Sequence, residues 1–114
     1  MQPKKALELL HDAIGTDDCI IANKARRGRT RIRLAREQQL EVLMSLTHEH
    51  FNKDEPARNV EKAGWHYYWY IDWQVPTEDA RRLRSCRIFV KFRVPPDESF
   101  VDVTSFCEDG DTWV

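Results

Sequence analysis

The sequence predicts an α+β protein whose N-terminal helices pack on a small, mainly antiparallel sheet. Two observations carry this. Apolar residues recur at helical spacing in the first half of the chain, whereas two-residue alternation governs the second half. The second-half segments are joined by short polar stretches, which suit hairpins rather than the long crossovers of a parallel sheet. With 114 residues the chain reads as one domain over 1–114, long enough to bury a modest core without disulfides or a structural metal.

Ala6, Leu9, Leu10, Ala13 and Ile14 place an amphipathic helix over 3–14, with Gly15 as its stop. Cys19-Ile20-Ile21-Ala22 reads as a short strand. In the basic stretch that follows, Gly28 is expected to interrupt any helix. A second helix runs from Ala35 to Ser45 and buries Leu40, Leu43 and Met44. Thr47 is placed as an N-cap, with Leu46 and Phe51 as a hydrophobic staple that presents Asn52 and Lys53. Residues 54–64, with Pro56 and Gly64, read as a surface loop. Trp65 to Gln74 alternates as a strand, with Trp65, Tyr67, Trp69, Ile71 and Trp73 on one side and His66, Tyr68, Tyr70, Asp72 and Gln74 on the other. Pro76 to Arg84 is a polar loop. Ile88, Val90, Phe92 and Val94 mark a half-buried strand, Pro95-Pro96-Asp97-Glu98 a turn, and Phe100 to Phe106 a returning antiparallel strand.

At 41% hydrophobic and 32% charged residues the composition is globular rather than disordered. No apolar run approaches the roughly 20 residues that span a bilayer. Met1-Gln2-Pro3-Lys4-Lys5 leads into a helix without a signal-peptide core, so a cytoplasmic location is expected. Cys19, Cys86 and Cys107 are odd in number and widely separated, which suits reduced thiols. They do not form the clustered ligands of a zinc site, and His48 with His50 is a weak metal pattern, so no metal or cofactor is expected.

Net charge is only −1, but its distribution is polar. Between Cys19 and Arg36 stand seven cations (Lys24, Arg26, Arg27, Arg29, Arg31, Arg33, Arg36) and no acid. From Pro95 to Val114 stand Asp97, Glu98, Asp102, Glu108, Asp109 and Asp111 with no Lys or Arg. Such a basic run serves either as edge protection for a sheet or as a phosphate-binding surface. Lys24, Arg26, Arg27, Arg29, Arg31 and Arg33 are the candidate RNA-binding residues. Arg81, Arg82 and Arg84, with Arg87, would widen that surface if the fold brings the segments together.

The sequence holds no Gly-rich phosphate loop, no G-x-S-x-G and no H-E-x-x-H, and its carboxylates lack the spacing of a two-metal site. RNA cleavage by this chain would therefore proceed without metal, by attack of the substrate's own 2′-OH. That route needs a base, a cation at the crowded phosphate and an acid for the leaving oxygen. His66 is the candidate base or acid, because imidazole titrates near neutrality. Lys53 is the candidate phosphate ligand, and Tyr68 completes the catalytic set. Tyr68 and Tyr70 also suit base stacking. Each has an ordinary alternative: His66 as a packing residue, Lys53 as a solvated one, the tyrosines as core.

Read together, Leu46-Thr47-His48-Glu49-His50-Phe51-Asn52-Lys53, Ile88-Phe89-Val90-Lys91-Phe92 and Val103-Thr104-Ser105-Phe106 resemble the MqsR family of type II toxin–antitoxin toxins. The likeness extends from about residue 19 onward through short, mainly hydrophobic motifs. It implies a RelE-like fold, metal-independent mRNA cleavage, and a cognate antitoxin protein as partner besides mRNA. By the resemblance Lys53 matches an active-site lysine, and the family's Trp-Gln pair falls on Trp65-His66 or on Trp73-Gln74, the first being favoured. The family's active-site tyrosine falls on Phe89, and a basic residue after the last Ser-Phe falls on Cys107. Both are departures. A non-catalytic protein that binds RNA or a protein through the same basic surface is the alternative, its acidic C-terminal strand mimicking nucleic acid or meeting a basic partner. A homodimer through the exposed sheet edge is a third.

Overall fold

The long alternating segments pair with each other along their full length. In the computed structural model, which describes residues 2–58 and 63–110, strand β3 (Trp65–Pro76) and strand β4 (Leu83–Val94) form a twelve-residue antiparallel hairpin. β5 (Val101–Glu108) pairs antiparallel with β4, and β1 (Cys19–Ile21) pairs parallel with β5. β2 (Phe51–Pro56) pairs antiparallel with β3, giving one mixed, mainly antiparallel five-stranded sheet in the order β1-β5-β4-β3-β2. Among the described residues there are three α-helices, α1 (Pro3–Gly15), α2 (Asn23–Arg31) and α3 (Arg36–Ser45), with a 3-10 turn at His48–His50. The class is α+β.

The pleat sends alternate side chains to opposite faces, and the two faces have different fates here. Tyr67, Trp69, Ile71 and Val75 of β3 and Ile88, Val90, Phe92 and Val94 of β4 are buried. They form one core with Ala6, Leu7 and Leu10 of α1 and Val42 and Leu43 of α3. Trp69 stacks on Phe92 at 5.7 Å, and Phe51 meets Trp69 edge-on at 5.2 Å. Buried aromatics of this size contribute most to such a core. The other face carries His66, Tyr68, Tyr70, Phe89 and Lys91, all half-buried, with Asp72, Gln74 and Arg87 exposed.

The basic stretch is not a break but a helix. Gly28 lies within α2 because the helix backbone presses on β5: a Cβ at Gly28 would sit 1.9 Å from the Phe106 carbonyl oxygen. β1 pairs only with Val101–Val103, and α2 runs on along β5 beyond that point. It covers a strand edge that would otherwise be open.

Two further expectations are corrected. Residues 54–64 are not all loop, since β2 extends to Pro56; 59–62 lie outside the described residues, as does Asp111. In α3, Gln39 is fully buried while Met44 is 48% exposed. The Gln39 amide oxygen accepts from Arg29 Nη1 at 3.1 Å, so a polar tether occupies the place expected for an apolar contact. Thr47 precedes the 3-10 turn as an N-terminal cap position, and its backbone N–H donates to His50 Nδ1 at 2.9 Å.

Candidate functional site

Cross-strand register assembles a cluster on the open face that no contiguous motif contains. Lys53 stands opposite Tyr68 and Glu55 opposite His66 across β2–β3; Tyr68 stands opposite Lys91 and His66 opposite Arg93 across β3–β4. Lys53 and Lys91 both hold their ammonium groups over the Tyr68 ring, 4.7 Å and 5.4 Å from its centroid. The Tyr68 hydroxyl donates a short hydrogen bond to Glu55 Oε1. Lys53, His66 and Tyr68, taken from the sequence as catalytic candidates, are thus immediate neighbours. Lys91 and Glu55, which are not among the sequence-derived candidates, belong to the same cluster. Only the strand register shows that they converge.

The electrostatics follow from this crowding. Burial, then the charges of Lys24 and Lys53, press the Lys91 ammonium below its usual range, with Glu55 opposing them. Burial, then Lys91 and Arg93, lowers the His66 imidazole below 6.5, which keeps it neutral at pH 7. Burial, then the bond to Glu55, pushes the Tyr68 phenol up to about 12, so it retains its proton. That same bond is the main cause of the low Glu55 carboxyl, which stays ionised. His66 Nδ1 is buried with no hydrogen-bond partner among the described residues. The cluster therefore offers a neutral imidazole, a protonated phenol and two cations on one exposed face, and neither lysine makes a salt bridge within the described residues.

Arg93, by contrast, is structural. It is buried, donates from Nη1 to the Ala63 carbonyl at 2.6 Å, and lies 3.6 Å from Asp102. Phe89, where the motif resemblance would put a tyrosine, lies against both Tyr68 and Tyr70 at 5.9 Å and 5.4 Å. A phenol is thus available one strand away. Cys107, the other departure, is buried opposite Phe89.

The basic residues divide. Lys24, Arg26, Arg27, Arg31 and Arg33 are exposed on or just beyond α2, and the Lys24 charge acts on Lys91, which ties the N-terminal end of α2 to the cluster. Arg29 is partly buried and bonded to Gln39. Arg84 grips Glu108 with both terminal nitrogens, at 2.8 Å and 3.0 Å. Arg81 and Arg82 lie in the β3–β4 turn. The Asp79 carboxyl there is held low by the Thr77 hydroxyl and the Arg81 amide, with a smaller contribution from Arg33. Arg33 thus marks the approach of the basic segment to the hairpin tip. Of the acidic C-terminal set, Asp102 and Glu108 are taken up by Arg93 and Arg84, which leaves less charge for a basic partner.

Beside the cluster the same face opens into a groove of about 480 Å³, lined by Glu49, His50, Asn52, Tyr70, Asp72 and Arg87 among others. β2 pairs with β3 only as far as Trp69, and the groove occupies the space beyond. Among the described residues no group of three or more His, Cys, Asp or Glu side chains is arranged to hold a metal ion. No described helix is long and apolar enough to cross a membrane.

Fold and site together define an α+β protein whose sheet packs against helices on one face, while the other stays accessible around β2, β3 and the start of β4, where it is rich in tyrosine and carries charges of both signs. Comparison with protein-family models, with curated proteins and with solved structures returns no match.

Proposed function

We propose that this protein is an endoribonuclease that cleaves mRNA by attack of the 2′-OH on the adjacent phosphate. The observation that supports this best is the convergence of Lys53, Lys91, Tyr68 and His66 on the open sheet face. In this reading neutral His66 takes the 2′ proton as the 2′ oxygen bonds to phosphorus. Lys53 and Lys91 offset the charge that gathers on the phosphoryl oxygens, and the Tyr68 phenol gives its proton to the departing 5′ oxygen. The products are a 2′,3′-cyclic phosphate and a 5′-hydroxyl. The proton held on His66 then returns through solvent to the Tyr68 phenolate, which restores both groups and the phenol's hydrogen bond to Glu55. The exposed cations on and just beyond α2, Lys24, Arg26, Arg27, Arg31 and Arg33, hold the strand by its phosphates.

The motif resemblance adds the biological setting of this proposal: a toxin of a RelE-like, MqsR-like toxin–antitoxin pair, acting in the cytoplasm and neutralised by a cognate antitoxin. The test is incubation of the purified chain with single-stranded RNA, with and without chelator. Cleavage that is indifferent to chelator and lost in Lys91→Met or His66→Gln supports the reading. Intact RNA with folded protein refutes it and leaves the non-catalytic binding protein as the better account.

A further inference from the structure

The groove beyond Trp69 is unused by the chemistry above, yet it is continuous with the cluster. Phe89 contacts both Tyr68 and Tyr70, so an aromatic strip leads from the two lysines to the groove mouth. Tyr70 and Phe89 are half-buried, each leaving part of its ring surface open on this face. At the far end Arg87 Nε reaches Asp72 Oδ1 at 3.4 Å, and both side chains are mostly exposed, at 60% and 78%. A contact that long and that wet is worth little to the fold. It leaves a guanidinium donor and a carboxylate acceptor side by side, both free to turn to a ligand. Asn52 adds an amide on the β2 side.

From these observations we infer that the groove is a nucleobase subsite, which takes the base of the nucleotide whose phosphate lies between Lys53 and Lys91. The inference rests on the phosphate-binding reading of that cluster. Residues two apart on a strand are about 7 Å apart, so Tyr70 lies one such step from Tyr68 and Asp72 two. That is the reach of a single nucleotide from phosphate to base. Stacking on Tyr70 and Phe89 would supply affinity for any base, as aromatic platforms do for unpaired strands. Asp72 and Arg87 meet the base edge. Every Watson–Crick edge offers a donor next to an acceptor, so this pair favours a base over no base rather than one base over another.

The test compares AMP and UMP with ribose 5-phosphate, which keeps the phosphate and lacks the base, by NMR titration of the full chain. The expected result is that both nucleotides bind about tenfold more tightly than ribose 5-phosphate, in keeping with one stacked base. Tyr70→Leu should erase that advantage while ribose 5-phosphate binding stays unchanged, which also certifies the variant's fold. Asp72→Asn should reduce it in part. Lys91→Met should weaken all three ligands together. Equal affinity for all three ligands overturns the subsite and leaves the phosphate site standing. An advantage that survives Tyr70→Leu places the base elsewhere and overturns it too. No binding of any of them sinks both the subsite and the phosphate reading on which it depends.

Discussion

Replacing Gly28 with alanine sets two physical effects against each other with opposite signs. In an exposed helix alanine would be the better residue by about 1 kcal/mol. Here a Cβ would lie 1.9 Å from the Phe106 oxygen, 2.9 Å from its carbonyl carbon and 3.0 Å from Cys107 Cβ. The obstacle is main chain, and its strand is fixed by pairing with β4, so no rotamer change relieves the clash. α2 has to retreat by about 1 Å to bring the closest contact near the 3.0 Å that real Cβ atoms keep. Overpacking of this kind costs about 1–3 kcal/mol, and retreat loosens the seam that buries Ala25 and Cys107. With main chain as the obstacle the cost falls in the upper part of that range, about 2–3 kcal/mol, so the net effect is a loss of roughly 1–2 kcal/mol, or a Tm lower by about 4–8 °C for a chain of this size. Calorimetry at fixed pH reads it. A Tm equal to or above that of the unsubstituted protein would show that α2 does not rest its backbone on β5, and would detach Lys24 from the cluster.

Other predictions concern the open face. Tyr68→Phe removes the donor to Glu55, so the Glu55 carboxyl should rise toward its ordinary range in a carbon-detected NMR titration; an unmoved titration would mean that the bond does not hold it. The His66 imidazole is depressed in the folded protein, so the unfolded chain binds more protons between that lowered value and 6.5. Its contribution to stability is therefore present above pH 6.5 and fades as pH falls below it, and cleavage should show an acidic limb in the same window. Unfolding and rate profiles measured between pH 5 and 8 would contradict this if the His66→Gln variant kept the same acidic limb. RNA affinity plotted against salt on logarithmic axes should lose about 0.7 of slope for each of Lys24→Ala and Arg26→Ala. Arg84→Ala should leave the slope unchanged, because Glu108 already occupies that guanidinium.

Much of the fold was legible in the sequence where a single force shaped the segment. β3, β4 and β5 alternate because one face meets the core, and α1 shows its apolar stripe for the same reason. β2 gave no such signal: Asn52, Lys53 and Asp54 are all exposed, so an edge strand wetted on both faces resembles loop. α2 was hidden because local propensity reads Gly28 as a break, whereas its cause is a neighbouring strand 78 positions along the chain, from 28 to 106. Gln39 was missed because its burial depends on Arg29, a partner on another helix. The site divides in the same way. His66, Tyr68 and Lys53 stood out by residue type, while Lys91 and Glu55 acquire meaning only through register, which joins positions 53, 68 and 91 in one row across three strands.

The most direct test of the central claim is the chemistry of the cut ends. A defined single-stranded RNA treated with the purified chain in chelator should yield a 2′,3′-cyclic phosphate and a 5′-hydroxyl. The rate should fall by about 100-fold or more in His66→Gln, in line with the loss of a general base. Ends bearing a 3′-hydroxyl, or an unchanged rate in that variant, would contradict the account.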